Sequence, residues 1–258
     1  IKPDGNSASL LGSFSGCHPG KFRKGFRIAQ ANKQEAPYQY FRSLNPEACE
    51  ASYWSQGKTD DIIRFPMEYE GVMEDEMTAV EFLNHVRTIY RYWGTPGKVE
   101  HRCVKPWLSH NVSNTVRVRK DEWEEVASHI FNHQDEFSGV SFISDYGDRD
   151  YPQAPFTAVF DLEERCRMYG VKACFEAPRL VEWAITAFGD VWEAADFVLG
   201  ICAIEDDYIQ TEEQIGWEEE FLRYSDEFFG GDNRRATYCL KDSFNDELYL
   251  KLKKSMVL

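Results

Sequence analysis

Apolar residues recur along this chain at two spacings. Across residues 78–93 they step by three and four: Val80, Leu83, Val86, Ile89, Tyr90 and Trp93 would line one face of a helix, which Thr95-Pro96-Gly97 would stop. Residues 121–137 repeat the pattern, with Trp123, Val126, Ile130 and Phe131 inward and an acidic first turn that suits the helix dipole. Residues 162–169, 177–188, 190–202, 212–229 and 238–256 also read as helical, and 37–43 as a short helix interrupted by Asn45-Pro46.

Other stretches alternate or are rich in β-branched residues. Residues 21–30 read as a strand with Phe22, Phe26 and Ile28 on its apolar side, and 113–118 alternate as another. Residues 61–68 have strand composition, but Pro66 would confine them to an edge or a strand end. GVSFIS (139–144) reads as a buried strand. Strands alternating with helices predict an α/β layer or barrel, with too few strands to close a barrel alone.

Composition adds limits. The 258 residues are 43% hydrophobic and 15% aromatic, enough for a sizeable core. No apolar run approaches the roughly 20 residues that span a bilayer, and no basic-then-apolar leader is present, so the expectation is a cytoplasmic protein without a membrane partner. Seven scattered cysteines without a C-x-x-C pair predict reduced core thiols, not a zinc site. Net charge is −15, which opposes nucleic acid as a partner. Residues 1–64 nevertheless carry nine Lys/Arg against six Asp/Glu. A small anionic ligand near the N-terminal segment is compatible with that excess, and the acidic stretch at 205–232 reads as a solvated helical face.

Three segments carry candidate chemistry. In KPDGNSASLLGSFSGCHP (2–19), a strand turns through Gly and opens a small-residue helix start capped by Asn6 or Ser7. Such a turn presents backbone N–H groups and a positive dipole end to an anion, with Lys21, Arg23, Lys24 and Arg27 downstream. From the residues alone an ordinary capped turn is the simpler reading, because no G-K-[ST] follows and Asp4 would repel a phosphate. HNVSNTVRV (110–118) crowds His110, Asn111, Ser113 and Asn114 before a strand, as a satisfied polar network or a substrate contact. YPQAPF (151–156) is a loop stiffened by two prolines around Gln153, either a pocket wall or a corner. Cys239 in TYCLKD has no following thiol and sits in an apolar helical pattern, which favours a core role over a redox one.

These segments, with RFPME, the W-G-T-P-G stop, PWLSHNVSNTVRVRKDEWEEV, FSGVSFIS and GDRDYPQAPF in that order, resemble the adenosylcobalamin-dependent (class II) ribonucleotide reductases. The resemblance covers residues 1–160 well and the rest weakly. It implies the C-terminal half of a ten-stranded α/β barrel over 1–160, and a mainly helical continuation over 161–258. In that family a finger-loop cysteine carries the thiyl radical that abstracts a ribose hydrogen. The cysteines, Glu and Asn of that chemistry lie upstream of the first motif, so no catalytic residue is assigned here.

By the resemblance, Asp4, Gly5, Asn6, Ser7 and Ala8 form the loop that receives the substrate's phosphates. Asp4 and Asn6 replace the commoner Ser and Thr, which removes hydroxyl contacts but not backbone N–H contacts. The implied cofactor is adenosylcobalamin, bound mainly by the N-terminal portion. The implied partners are that portion as a separate chain and a nucleotide substrate, diphosphate or triphosphate. A start at Ile1, inside an apparent strand, fits a split, processed or truncated reductase. The competing expectation is a non-catalytic, nucleotide-sensing or scaffolding remnant of the same fold.

Overall fold

A computed structural model describes residues 1–4, 8, 11–145, 151–201 and 212–256. The fold is mixed α/β. Its strands are β1 (Lys24–Asn32), β2 (Cys49–Ala51), β3 (Asp60–Glu68), β4 (Asn114–Val118), β5 (Val140–Ser144) and β6 (Phe156–Ala158). Its helices are α1 (Ala36–Leu44), α2 (Ala79–Ile89), α3 (Trp123–Asn132), α4 (Leu162–Tyr169), α5 (Val171–Phe188), α6 (Val191–Ile201), α7 (Glu212–Phe229) and α8 (Asn233–Met256). One sheet has the order β2-β3-β1-β6, and β4 and β5 form a parallel pair. The chain divides into two compact units, Ile1–Arg27 with Met67–Ala158 and Ile28–Pro66 with Val159–Leu258. Residues 28–66 group with the C-terminal helices.

In the first unit, β4, α3 and β5 make a βαβ unit in register from Asn114 opposite Val140 to Val118 opposite Ser144. Its core joins Ala79, Phe82, Leu83 and Val86 of α2 to Val112, Val116, Val118 and Val126. A capping box starts α2: the Glu81 N–H donates to Thr78 Oγ1 (3.1 Å) and the Thr78 N–H donates to Glu81 Oε2 (2.8 Å).

The helix expected over 78–93 is α only to Ile89 and continues as a π-helical turn, Tyr90–Gly94. That wider turn shifts the phase of the following side chains, which leaves Trp93 66% exposed. Phe82, not Val80, takes the fully buried position. The second expected helix also ends early, at Asn132, where a 3₁₀ turn (Gln134–Glu136) lets Glu136 pair with Arg87 and Arg91. Phe131 faces solvent at 77% exposure and Trp123 is partly exposed. Nor is β5 a buried strand: it is the outer member of the pair, and Phe142 and Ile143 remain exposed.

In the second unit, β2 pairs with β3 antiparallel, Cys49 opposite Ile63 through Ala51 opposite Asp61. Because β2 reaches only Ile63, Pro66 lies where β3 has run past its outer neighbour, so its missing N–H costs no ladder bond on that side. Asp61 is buried and held by Arg42 (2.8 Å), Lys33 (3.2 Å) and the Tyr38 hydroxyl. A capping box of Asp161 and Glu164 starts α4, and Gly170, at φ 101°, separates α4 from α5. The helical core comprises Ala173, Ala177, Val181, Phe221, Tyr224, Ala236, Cys239 and Leu240. Among the described residues, no helix is long and apolar enough to cross a membrane.

Candidate functional site

The first unit brings the sequence motifs together along one edge of β4. The Ile1 amine donates to Asn111 O (2.6 Å) and the Ser113 N–H donates to Ile1 O (3.0 Å). Two residues on, the Thr115 N–H donates to His18 Nε2 (3.1 Å), while His18 Nδ1 lies 2.8 Å from Ser15 O. An accepting Nε2 requires the proton on Nδ1, so this pair of contacts fixes the neutral tautomer of His18. The Cys17 thiol donates to Asn114 Oδ1 (2.6 Å), and Asn114 Nδ2 donates to Val112 O (3.0 Å). Burial pushes the Cys17 thiol up from its ordinary range, which favours the protonated form that donates to Asn114.

On the other edge of the same segment, the Val112 N–H donates to Ser138 Oγ (2.9 Å), which donates to Asn111 Oδ1 (2.9 Å). The polar residues before β4 are therefore a satisfied network. His110 closes the preceding loop: its N–H donates to Gly94 O (3.2 Å) and its Nε2 lies 3.2 Å from Gly97 O.

A line of alternating charges runs beside these contacts. Lys21 pairs with Glu74 (2.9 Å), Glu74 with Arg117 (3.6 Å), and Arg117 with Asp145 (2.7 Å) at the end of β5. Arg23 pairs with Glu76, and Arg27 lies over the Phe156 ring at 4.4 Å. Three of the cations expected to enrich an anion site thus already have partners within the unit. Gly20 allows the close approach this requires: a Cβ there would meet Met73 Sδ at 2.5 Å.

Of the candidate phosphate loop, Gly5, Asn6 and Ser7 lie outside the described residues. At its ends, the Ala8 N–H donates to Asp4 O (3.3 Å), and the Ser13 N–H donates to Ala8 O (2.9 Å). The amide of Ala8 is therefore engaged in a helical turn. The third motif joins through aromatic contact: Phe156 lies 5.7 Å from Phe14 and 6.1 Å from Phe22, and Phe14 lies 4.1 Å from Tyr69. Gln153 adopts φ 56°, an uncommon conformation for a residue with a side chain, between the two prolines. Sequence reasoning singled out the motifs but missed the Cys17–Asn114 bond and the Glu74–Arg117 link. Neither has a local signature.

The described residues offer no centre for a bound metal. Among them no group of three or more His, Cys, Asp or Glu is placed to hold an ion, and the motif histidines His18 and His110 are engaged with the backbone.

No family model and no curated protein matches the chain. Among solved structures it is similar to the crystal structure of a B-12 dependent (class II) ribonucleotide reductase. The identity is 16% and the TM-score 0.49, over 66% of this chain and 22% of that one. The chain thus spans less than a quarter of that protein's length.

Proposed function

We propose that the chain is the C-terminal part of a ribonucleotide reductase, acting with a separate chain that carries the radical cysteine and adenosylcobalamin. The observation that carries this reading is the convergence of the motifs. Cys17 and His18 of the first bond Asn114 and Thr115 of the second across 97 residues of sequence, and Phe14 and Phe22 meet Phe156 of the third. Motifs that belong to one site in the resembled family occupy one unit here.

In this reading the turn from Asp4 to Ala8 receives the substrate's phosphates through backbone N–H groups at a helix start. The contacts along β4 hold Ile1, Cys17 and His18, which flank that turn in sequence. The partner supplies the strand that follows β5, whose outer edge is open among the described residues, and contributes to a shared α/β barrel. Adenosylcobalamin, when bound by the partner, supplies the radical; the residues of this chain bind and orient the nucleotide.

The test is co-purification from the native source, followed by an adenosylcobalamin-dependent reduction assay on the complex. Equal recovery of a cysteine-bearing barrel half with activity supports the reading. A stable, partnerless monomer overturns it in favour of a non-catalytic remnant. In the active complex, Ser7→Asp is expected to raise the KM for nucleotide about tenfold, equivalent to about 1.4 kcal/mol of lost binding, with a smaller change in kcat.

A further inference from the structure

The end of α3 brings together two histidines that the reductase reading does not use. His129 and His133 stand one helical turn apart, and their ring centroids are separated by 4.8 Å. His129 also meets the Phe137 ring edge-on at 6.4 Å, and Phe137 packs on the core of the first unit. The half-buried His129 ring has its Nε2 sealed from solvent, with no hydrogen-bond partner among the described residues. A neutral imidazole tolerates such a place. An imidazolium does not, because its charge and its sealed N–H both need an acceptor.

The charges around the pair are unevenly set. From α2, Arg87 and Arg91 both reach Glu136 in the 3₁₀ turn, at 2.9 and 3.0 Å. His133 Nδ1 lies 3.8 Å from the same carboxylate, and Glu125 stands one turn before His129 on α3. Burial first, then Arg87 and His133, hold the His129 imidazole below the ordinary histidine range; Glu125 and Glu136 offset them only in part. The turn itself is closed by two backbone bonds. The His133 N–H donates to Ile130 O (3.2 Å), and the Glu136 N–H donates to His133 O (2.9 Å).

We propose that His129 and His133 form a pH-sensitive latch on residues 129–137, closed while His129 is neutral and released when it takes a proton. A protonated His129 adds a positive charge beside Arg87 and a sealed N–H without an acceptor. The ring leaves its place, and the two backbone bonds of the turn open with it. Glu136 then no longer ties the turn to Arg87 and Arg91, and Phe137 leaves the core. The surface at the end of α3 changes from paired and polar to cationic and apolar. The opening stops at Ser138, whose Oγ accepts from the Val112 N–H (2.9 Å). A histidine held below its ordinary range is neutral in the closed form, whereas the open form binds a proton first. The latch is therefore fully closed above about pH 6.5 and weakens as pH falls through that value.

The proposal is independent of the reductase reading and is tested on the purified full chain between about pH 7.5 and 5.5, above the range in which ordinary carboxylates titrate. Hydrogen exchange, corrected for the pH dependence of the intrinsic rate, is expected to show protection of residues 130–137 reduced about threefold or more at the lower pH. Protection of β4 should stay unchanged. By NMR, the ring of His129 should titrate below its midpoint in the urea-unfolded chain. His129→Gln should remove the pH response of the turn, whereas His85→Gln, at an exposed position of α2, should leave it intact. Three results would overturn the proposal: a His129 midpoint at or above that of the unfolded chain, a response that persists in His129→Gln, or an equal loss of protection in β4.

Discussion

The two units place their unusual residues in opposite positions. The second buries polar groups: Arg165, Asp242, Ser243 and Asn245 all lie among its helices, with bonds such as Arg165 Nη1 to Ser243 Oγ (2.6 Å) and Tyr169 Oη to Asp242 Oδ2 (2.6 Å). The first exposes apolar ones. Its loop between α2 and β4, closed at the base by His110 and Gly94, displays Val104 at 95% and Trp107 at 73% exposure, beside Tyr92, Trp93, Val99 and Leu108. A buried polar group is tolerated where the same chain supplies its partner, and the second unit does so for Arg165 Nη1 and Asp242, though Arg165 Nε and Ser225 Oγ are buried without one among the described residues. Under the two-chain reading, the exposed apolar residues of this loop are a candidate face for the partner. The second unit also exposes apolar side chains, such as Tyr53, Val171 and Phe175, so what sets the two apart is a buried polar network in one and an open strand edge beside an apolar loop in the other.

The contrast is broken most severely from inside the second unit. Arg165 is nearly sealed, pairs with Asp246 (3.4 Å) and bonds Ser243. Arg165→Met removes one side of a buried pair and is expected to cost about 3–5 kcal/mol. Urea denaturation followed by circular dichroism measures the loss. A change below about 1 kcal/mol would mean that the internal polar network does not hold these helices together.

The matching change in the first unit is Leu83→Ala, at a fully buried position between α2 and β4. It is expected to cost about 3 kcal/mol, and hydrogen exchange should show the loss at amides of α2, β4 and β5. Equal loss of protection in α5 and α8 would show that the two units unfold as one and would erase the comparison. A smaller effect follows from Asn114→Ala, which leaves the Cys17 thiol and the Val112 carbonyl without their partner. Its expected cost is about 1–3 kcal/mol, again confined to the first unit by the same exchange measurement.

Much of this architecture was legible in local patterns. The bounds of α4 follow from Asp161 and Glu164 at one end and Gly170 at the other, and those of α1, β3 and β4 from short-range composition. Less legible were starts that lack apolar periodicity. Because Asn233–Thr237 is mostly polar, α8 reads from sequence as beginning at 238, and Pro178 reads as the first turn of α5 when it lies inside the helix. The π turn after Ile89 cannot be read from apolar spacing, so by spacing alone Trp93 falls on the core side. Within the candidate site, the motifs were recognisable but their joining was not: a Cys17–Asn114 bond spans 97 positions and leaves no periodic trace.

The smallest expected effect on stability is the sharpest test of the open face. Trp107 leaves most of its surface in water. Trp107→Ser should therefore change the unfolding free energy by no more than about 0.5 kcal/mol, far below Leu83→Ala in the same unit. A loss above about 1 kcal/mol would show that the indole packs against its own chain in solution, and the first unit would then be as self-contained as the second. An unchanged stability has a further consequence under the two-chain reading. A large aromatic that contributes nothing to its own fold, beside Arg102 and Lys105, has the composition of an interface anchor. The same Trp107→Ser chain should then lose most of its partner on co-purification while remaining fully folded alone.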